Sequence, residues 1–245
     1  FAGQLLAERP PIGTVATLEA ATPQSVRAFH DRWYRPENTV IVVVGDYPRE
    51  YLASLVEKWF ADWQVAGKPT PAPDFGAPAE PPGADPANPV GETRVVVEPG
   101  QPRGLNYAYL RPYHQVIDNL EYNRGNLLDA VAMAVINRRL EARARGSANY
   151  LAASVDNQNV SRSANGTFVS LVPLSADWRS ALKDVRGVIA GALAEPPTQA
   201  EIDREVAELD VAFANQVQQA AVQAGAAMAD DVVSAVDIRE AVGSP

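Results

Sequence analysis

Four arginines, Arg138, Arg139, Arg143 and Arg145, fall within eight positions, and Tyr150 follows them. A guanidinium and a phenol positioned together can hold a peptide carbonyl or stabilise an oxyanion. The same residues suit a second account: cations at a helix C-terminus interact favourably with its dipole and stay solvated. Residue types alone leave both readings open. The other reactive side chains are sparse. Hydrolytic metal sites need clustered histidines and carboxylates, and the only histidines are His30 and His114, far apart in sequence. His30 reads as an ordinary, partly exposed histidine beside Asp31, and His114 as a loop residue after Pro112-Tyr113. Asp230-Asp231 reads as a solvated helix surface. Cysteine is absent, which excludes disulfides, thiolate metal sites and a cysteine nucleophile. No Gly-x-Ser-x-Gly elbow and no Gly-rich phosphate loop occurs.

Composition limits the partners. A net charge of −9 over 245 residues disfavours nucleic acid, whose phosphates would be repelled. No apolar run approaches the roughly 20 residues that span a bilayer. The chain opens on Phe1 and ends on Gly243-Ser-Pro245, which reads as a piece of a longer protein, truncated at both ends.

The positioning elements are legible in the local patterns. Thr22 caps a helix with Pro23 in its first position and a stripe of Val26, Phe29 and Trp33. Arg35-Pro36-Glu37-Asn38 is a turn, because Pro36 cannot continue the helix. Thr39 to Val44 is a β-branched run without alternation, expected to be a strand buried on both faces. Asp46 is expected to cap the next helix, which carries Leu52, Leu55, Val56, Trp59, Phe60 and Trp63. Eight of the twenty prolines fall between Lys68 and Gly91, marking a linker. Strands are expected at Thr93–Glu98, Gly104–Leu110, Tyr150–Asp156 and Gly166–Pro173. Asp118 to Glu121 has capping-box spacing and opens a helix to about Arg145. Ser175 caps a further helix, and Thr198-Gln-Ala-Glu201 is a second capping box before another. The tail to about Val242 reads as helix, broken near Gly225. This order predicts an α+β fold, a layered antiparallel sheet packed with helices. The division expected is 1–66, 67–92 as linker, and 93–245 as a second domain.

Taken in order, several stretches resemble one family. Pro-Ile-Gly-Thr at 11–14, Phe29-His-Asp-Arg-Trp-Tyr-Arg-Pro-Glu-Asn38, Val42-Val-Val-Gly-Asp46 and a helix ending in Trp59-Phe60 are similar to the pitrilysin/insulinase zinc metallopeptidases. Asn137-Arg-Arg-Leu140, the Arg-rich helix end, Tyr150, Phe168, Trp178 and Thr198-Gln-Ala-Glu201 resemble the domain that follows the zinc-bearing one. The resemblance implies paired α+β domains, with residues 1–66 as the end of a zinc-bearing type of domain. It implies hydrolysis of peptide bonds by zinc-activated water in the parent protein. The family's His-x-x-Glu-His does not occur here, so the resemblance assigns no catalytic residue and no metal ligand to this chain. It predicts zinc in the parent, none bound by this segment, and a segment inactive alone. It also carries a substrate-gripping role to Arg143 and Tyr150, although Ala148-Asn149 stands where the family has Gly-Leu or Leu-Gly. Expected partners are a peptide or unfolded protein and the other half, or partner subunit, of the peptidase. The rival is a non-catalytic subunit of the same fold, a processing-peptidase partner or respiratory-complex core-like protein acting in assembly or peptide binding. Eighteen arginines against three lysines point to a bacterial source, and the family's bacterial members to the periplasm.

Overall fold

The computed structural model describes residues 3–8, 11–80, 93–116 and 119–238. They form two compact units, each discontinuous in sequence: Phe1–Glu8 with Phe75–Asn215, and Arg9–Asp74 with Gln216–Pro245.

The first unit is built on a three-stranded antiparallel sheet. Its strands β1 (Leu105–Pro112), β2 (Tyr150–Val160) and β3 (Ala164–Pro173) lie in the order β1-β3-β2. β2 and β3 run two to four residues beyond their expected inner ends, and Ser161 and Arg162 close the hairpin at positive φ. Register pairs Tyr107 with Val169 and Val169 with Val155, so these side chains share one face. Two helices cover it, α5 (Leu120–Arg145) and α6 (Trp178–Ala194). The core is Ile136 and Leu140 from α5, Ala181 and Val185 from α6, and Tyr150, Val155, Val169 and Leu171 from the strands. A short helix, α1 (Leu5–Glu8), belongs to this unit and is tied in by Gln4, whose amide donates to the Ser163 carbonyl at 2.6 Å.

The opposite sheet face carries a local constraint at Gly166. A Cβ there would sit 2.4 Å from the Phe168 ring and 3.2 Å from Leu110 Cδ2. The ring therefore occupies the space that any larger residue would need. Gly166→Ala is expected to destabilise the unit by about 1–2 kcal/mol by overpacking. The loss should vanish in a Phe168→Ala background, as chemical denaturation of the double-mutant cycle would show.

The second unit holds α2 (Val15–Glu19), α3 (Pro23–Trp33), a 3₁₀ turn at Pro36–Asn38, α4 (Arg49–Phe60) and α8 (Gly225–Ile238). Helix α7 (Gln199–Ala220) starts in the first unit, and its last turn belongs to the second. Thr22 caps α3 as expected: its hydroxyl accepts from the Ser25 amide at 3.1 Å. Three expectations fail in the two units. Thr39–Val44 is extended but pairs with no strand among the described residues, and Val40, Ile41, Val43 and Val44 are 37–65% exposed. A β-branched run favours extended backbone, whereas burial requires neighbouring strands to accept its hydrogen bonds. In the first unit, Thr93–Glu98 is likewise extended and joins no sheet among the described residues, with Val95, Val96 and Val97 exposed. Asp46 caps nothing: the residue before α4 is Pro48, with no side-chain cap.

Candidate functional site

Helix α5 carries the arginine cluster, and its last three turns determine where each side chain reaches. The helix begins after Asn119, whose Oδ1 accepts from the Tyr122 amide at 2.9 Å; Asp118 lies outside the described residues. Asn137, Leu140 and Ala144 fall at i, i+3 and i+7, the stripe facing the sheet. Asn137 uses both ends of its amide on one residue of β2: Nδ2 donates to the Val155 carbonyl at 3.0 Å and Oδ1 accepts from the Val155 N–H at 2.7 Å. β2 is an edge strand, so Asn137 supplies the bonds that a further strand would have made there.

The arginines point elsewhere. Arg138 donates to both oxygens of Glu205, at 3.2 and 3.3 Å, and to both of Glu208, at 2.6 and 2.7 Å. Arg139 makes a bidentate pair with Glu201 at 2.7 and 2.8 Å and donates to the Glu195 carbonyl. Arg143 reaches Asp184 on α6 at 3.3 Å with its side chain 43% exposed. Arg145 pairs with Glu141 one turn back along the helix.

Tyr150 is fully buried, and its hydroxyl donates to the Leu140 carbonyl at 2.7 Å. Burial raises its pKa above the usual 10. Asp184 joins the two neighbourhoods. It accepts from the Asn149 N–H at 2.9 Å, from the Asn149 side chain at 2.8 Å and from Arg143, and these bonds hold its carboxyl below its usual range. Arg143 and the residue preceding Tyr150 therefore share one anchor. The arrangement can position a guanidinium at the surface; the phenol beneath it is already engaged.

Glu201 is the most perturbed carboxylate. Arg139, and then the Thr198 backbone N–H, lower its pKa from 4.5 to about 2. The bonds between Thr198 and Glu201 are the expected capping box: Thr198 N–H to Glu201 Oε2 at 2.9 Å, and Glu201 N–H to Thr198 Oγ1 at 3.3 Å. A depressed carboxyl stabilises the fold above its unfolded pKa, and the contribution is lost as pH falls through the folded one. The Glu201 carboxyl resonance should therefore titrate with a midpoint near 2. A midpoint near 4.5 would mean that the Arg139 pair does not form in solution.

The remaining candidates are peripheral. His30 lies 3.1 Å from Asp31, is half exposed and stacks on Tyr34 with ring centroids 5.0 Å apart. His114 is exposed. The expected Ser175 cap is replaced by Asp177, which accepts from the Ser180 amide at 3.2 Å. Among the described residues, no three His, Asp or Glu side chains converge as a metal site. Sequence reasoning missed Asn137, Asp184 and the Glu205–Glu208 pair. Their partners lie 18 to 70 positions away, beyond any local pattern.

The geometry defines a helix-backed α+β domain whose polar side chains fasten α5 to the sheet and to the helices α6 and α7. Residues 20–209 match the family described as "Peptidase M16 inactive domain". The chain belongs to that family. It is 38% identical over 50 residues to the "Probable zinc protease PqqL" of Escherichia coli K12, covering 20% of this chain and 5% of that one. A crystal structure titled as the periplasmic protease PqqL from Escherichia coli superposes with a TM-score of 0.77 at 19% identity, over 100% of this chain and 26% of the other. A second, titled as the first half of that protease, gives 0.76 at 16% identity, over 98% and 50%. These structures show a shared α+β fold. The chain spans only a small part of the relatives it matches.

Proposed function

We propose that this chain is a wall and substrate-facing domain of a zinc-dependent endopeptidase whose metal and water-activating residues lie elsewhere in the protein or its partner. One observation carries the reading: the match to a peptidase family's inactive domain, in a chain without His-x-x-Glu-His. Zinc supplies the attacking water in such enzymes; this chain's residues would bind and orient a peptide. In this reading residues 1–66 end a zinc-bearing type of domain, 67–92 are a linker and 93–245 the domain after it. The partners are a peptide or unfolded protein and the other half or partner subunit of the peptidase. The relative titled as periplasmic supports a bacterial periplasmic setting.

The substrate contact falls to Arg143, whose guanidinium is exposed and braced by Asp184. Tyr150 joins it only if its hydroxyl leaves the Leu140 carbonyl. In the whole protein, Arg143→Ala should lower kcat/KM for an unstructured peptide by about tenfold, with zinc content unchanged. Unchanged kcat/KM would remove Arg143 from the substrate path. Stoichiometric zinc with chelator-sensitive cleavage would establish the peptidase reading. Neither zinc nor cleavage, even with the partner half supplied, would favour a non-catalytic subunit.

A further inference from the structure

Helix α7 is attached to the first unit unlike its neighbour α6. α6 buries Ala181 and Val185 in the core, whereas no residue of α7 belongs to that cluster. The one residue of α7 that is buried is Glu205, 4% exposed. Of its apolar residues, Ile202 and Leu209 are half-buried, whereas Val206, Phe213 and Val217 are 41%, 51% and 57% exposed. The side-chain bonds to α5 come from acidic residues. Glu201, Glu205 and Glu208 fall at i, i+4 and i+7, one stripe of the helix.

Opposite this stripe stand Arg138 and Arg139, the first bonded to Glu205 and Glu208 and the second to Glu201. Two further charges adjoin them: Glu141, 3.9 Å from Arg138, and Arg204, 3.5 Å from Glu205. The Glu195 carbonyl also receives Arg139. Three carboxylates thus face two arginines, with Arg204 beside the buried carboxylate. The arginine side chains are 33% and 23% exposed, so mobile ions can approach them.

We propose that α7 is an ionically latched helix: Arg138 and Arg139 hold it on α5, and screening these pairs frees it while the sheet, α5 and α6 stay folded. The chain passes from the first unit to the second through α7. The apolar core does not loosen with salt, because hydrophobic burial does not depend on charge screening. This inference does not depend on the peptidase reading.

Hydrogen exchange of the 245-residue chain at two salt concentrations tests it. Raising sodium chloride from about 0.1 M to about 1 M shortens the screening length from about 10 Å to about 3 Å. Amides of α7 between Ile202 and Asn215 should then exchange on the order of tenfold faster, with those of β3 and α6 unchanged, as expected for local opening. Arg138→Gln should reproduce fast α7 exchange at low salt and abolish the salt response, and Glu208→Gln should act in the same direction. Protection of α7 that does not change with salt would overturn the proposal. So would α7 opening only together with β3, or Arg138→Gln unfolding the whole unit, because each makes α7 part of one cooperative core.

Discussion

Replacing Arg35 with alanine should cost the second unit about 3 kcal/mol, a large fraction of the stability of a unit of that size. Arg35 is 2% exposed, and its guanidinium donates to the carbonyls of Val65, Ala66 and Gly67 at 3.2, 3.0 and 2.8 Å and to Glu37 at 3.2 Å. One side chain thus gathers three consecutive carbonyls of the segment after α4 and fixes them against the turn after α3. The turn in turn relies on Arg35: its own carbonyl accepts from the Asn38 N–H at 3.0 Å and the Thr39 hydroxyl at 2.8 Å. Truncation removes four charge-assisted bonds and opens a cavity the length of an arginine stem. Arg35→Lys should recover only part of the loss, since an ammonium lacks the planar fork that spans adjacent carbonyls. The measurement is denaturation followed by tryptophan fluorescence, because Trp33, Trp59 and Trp63 all lie in this unit. A loss below about 0.5 kcal/mol would show that water replaces the guanidinium without penalty.

Arg35 also marks how far sequence reasoning reaches. The turn at Arg35–Asn38 was readable because Pro36 restricts its own backbone and that of its neighbour. The clamp was not, since its carbonyl acceptors lie 30 to 32 positions later. The same division runs through the first unit. Thr198 and Glu201 announce their capping box at a spacing of three, and the structure makes both bonds. Gly104–Leu110 and Gly166–Pro173 show strand patterns that place β1 and β3 within two residues. The run from Thr39 to Val44 states a preference for extended backbone but cannot say what covers it. Ser175 and Asp177 are both plausible caps, and only helix geometry selects Asp177. In the candidate site, the arginines were legible as a cluster, while their sorting onto two different helices was not. Arg138 and Arg139 turn to α7, Arg143 to α6. Helical spacing alone would group them otherwise: Arg138 and Arg139 lie about 100° apart yet share α7, whereas Arg139 and Arg143, one turn apart, part to α7 and α6.

Tyr150→Ala should be the most damaging single change in the first unit, costing about 3–5 kcal/mol. Among the described residues Tyr150 is the largest fully buried side chain, and it stands where β2 begins, beside Leu140, Val155 and Leu171 in the core. The family resemblance gave it a substrate-gripping role beside Arg143. The irregularity in β2 between Tyr150 and Ala152 instead turns Leu151 outward, 66% exposed, and leaves Tyr150 inside. Tyr150→Phe separates packing from hydrogen bonding: it keeps the ring and deletes only the bond to the Leu140 carbonyl. That variant should lose about 1 kcal/mol. It should also shed part of the alkaline instability. A phenol whose folded pKa lies above 10 stabilises the fold fully below pH 10, and the contribution fades as pH rises, because the unfolded chain releases its proton first. The same variant separates the two readings of the cluster. If the hydroxyl serves the fold alone, Tyr150→Phe in the whole protein shifts the melting temperature and leaves kcat/KM unchanged. If it grips the peptide, kcat/KM falls while the stability loss stays near that of one hydrogen bond, and the bond to Leu140 is then the resting state that substrate must break.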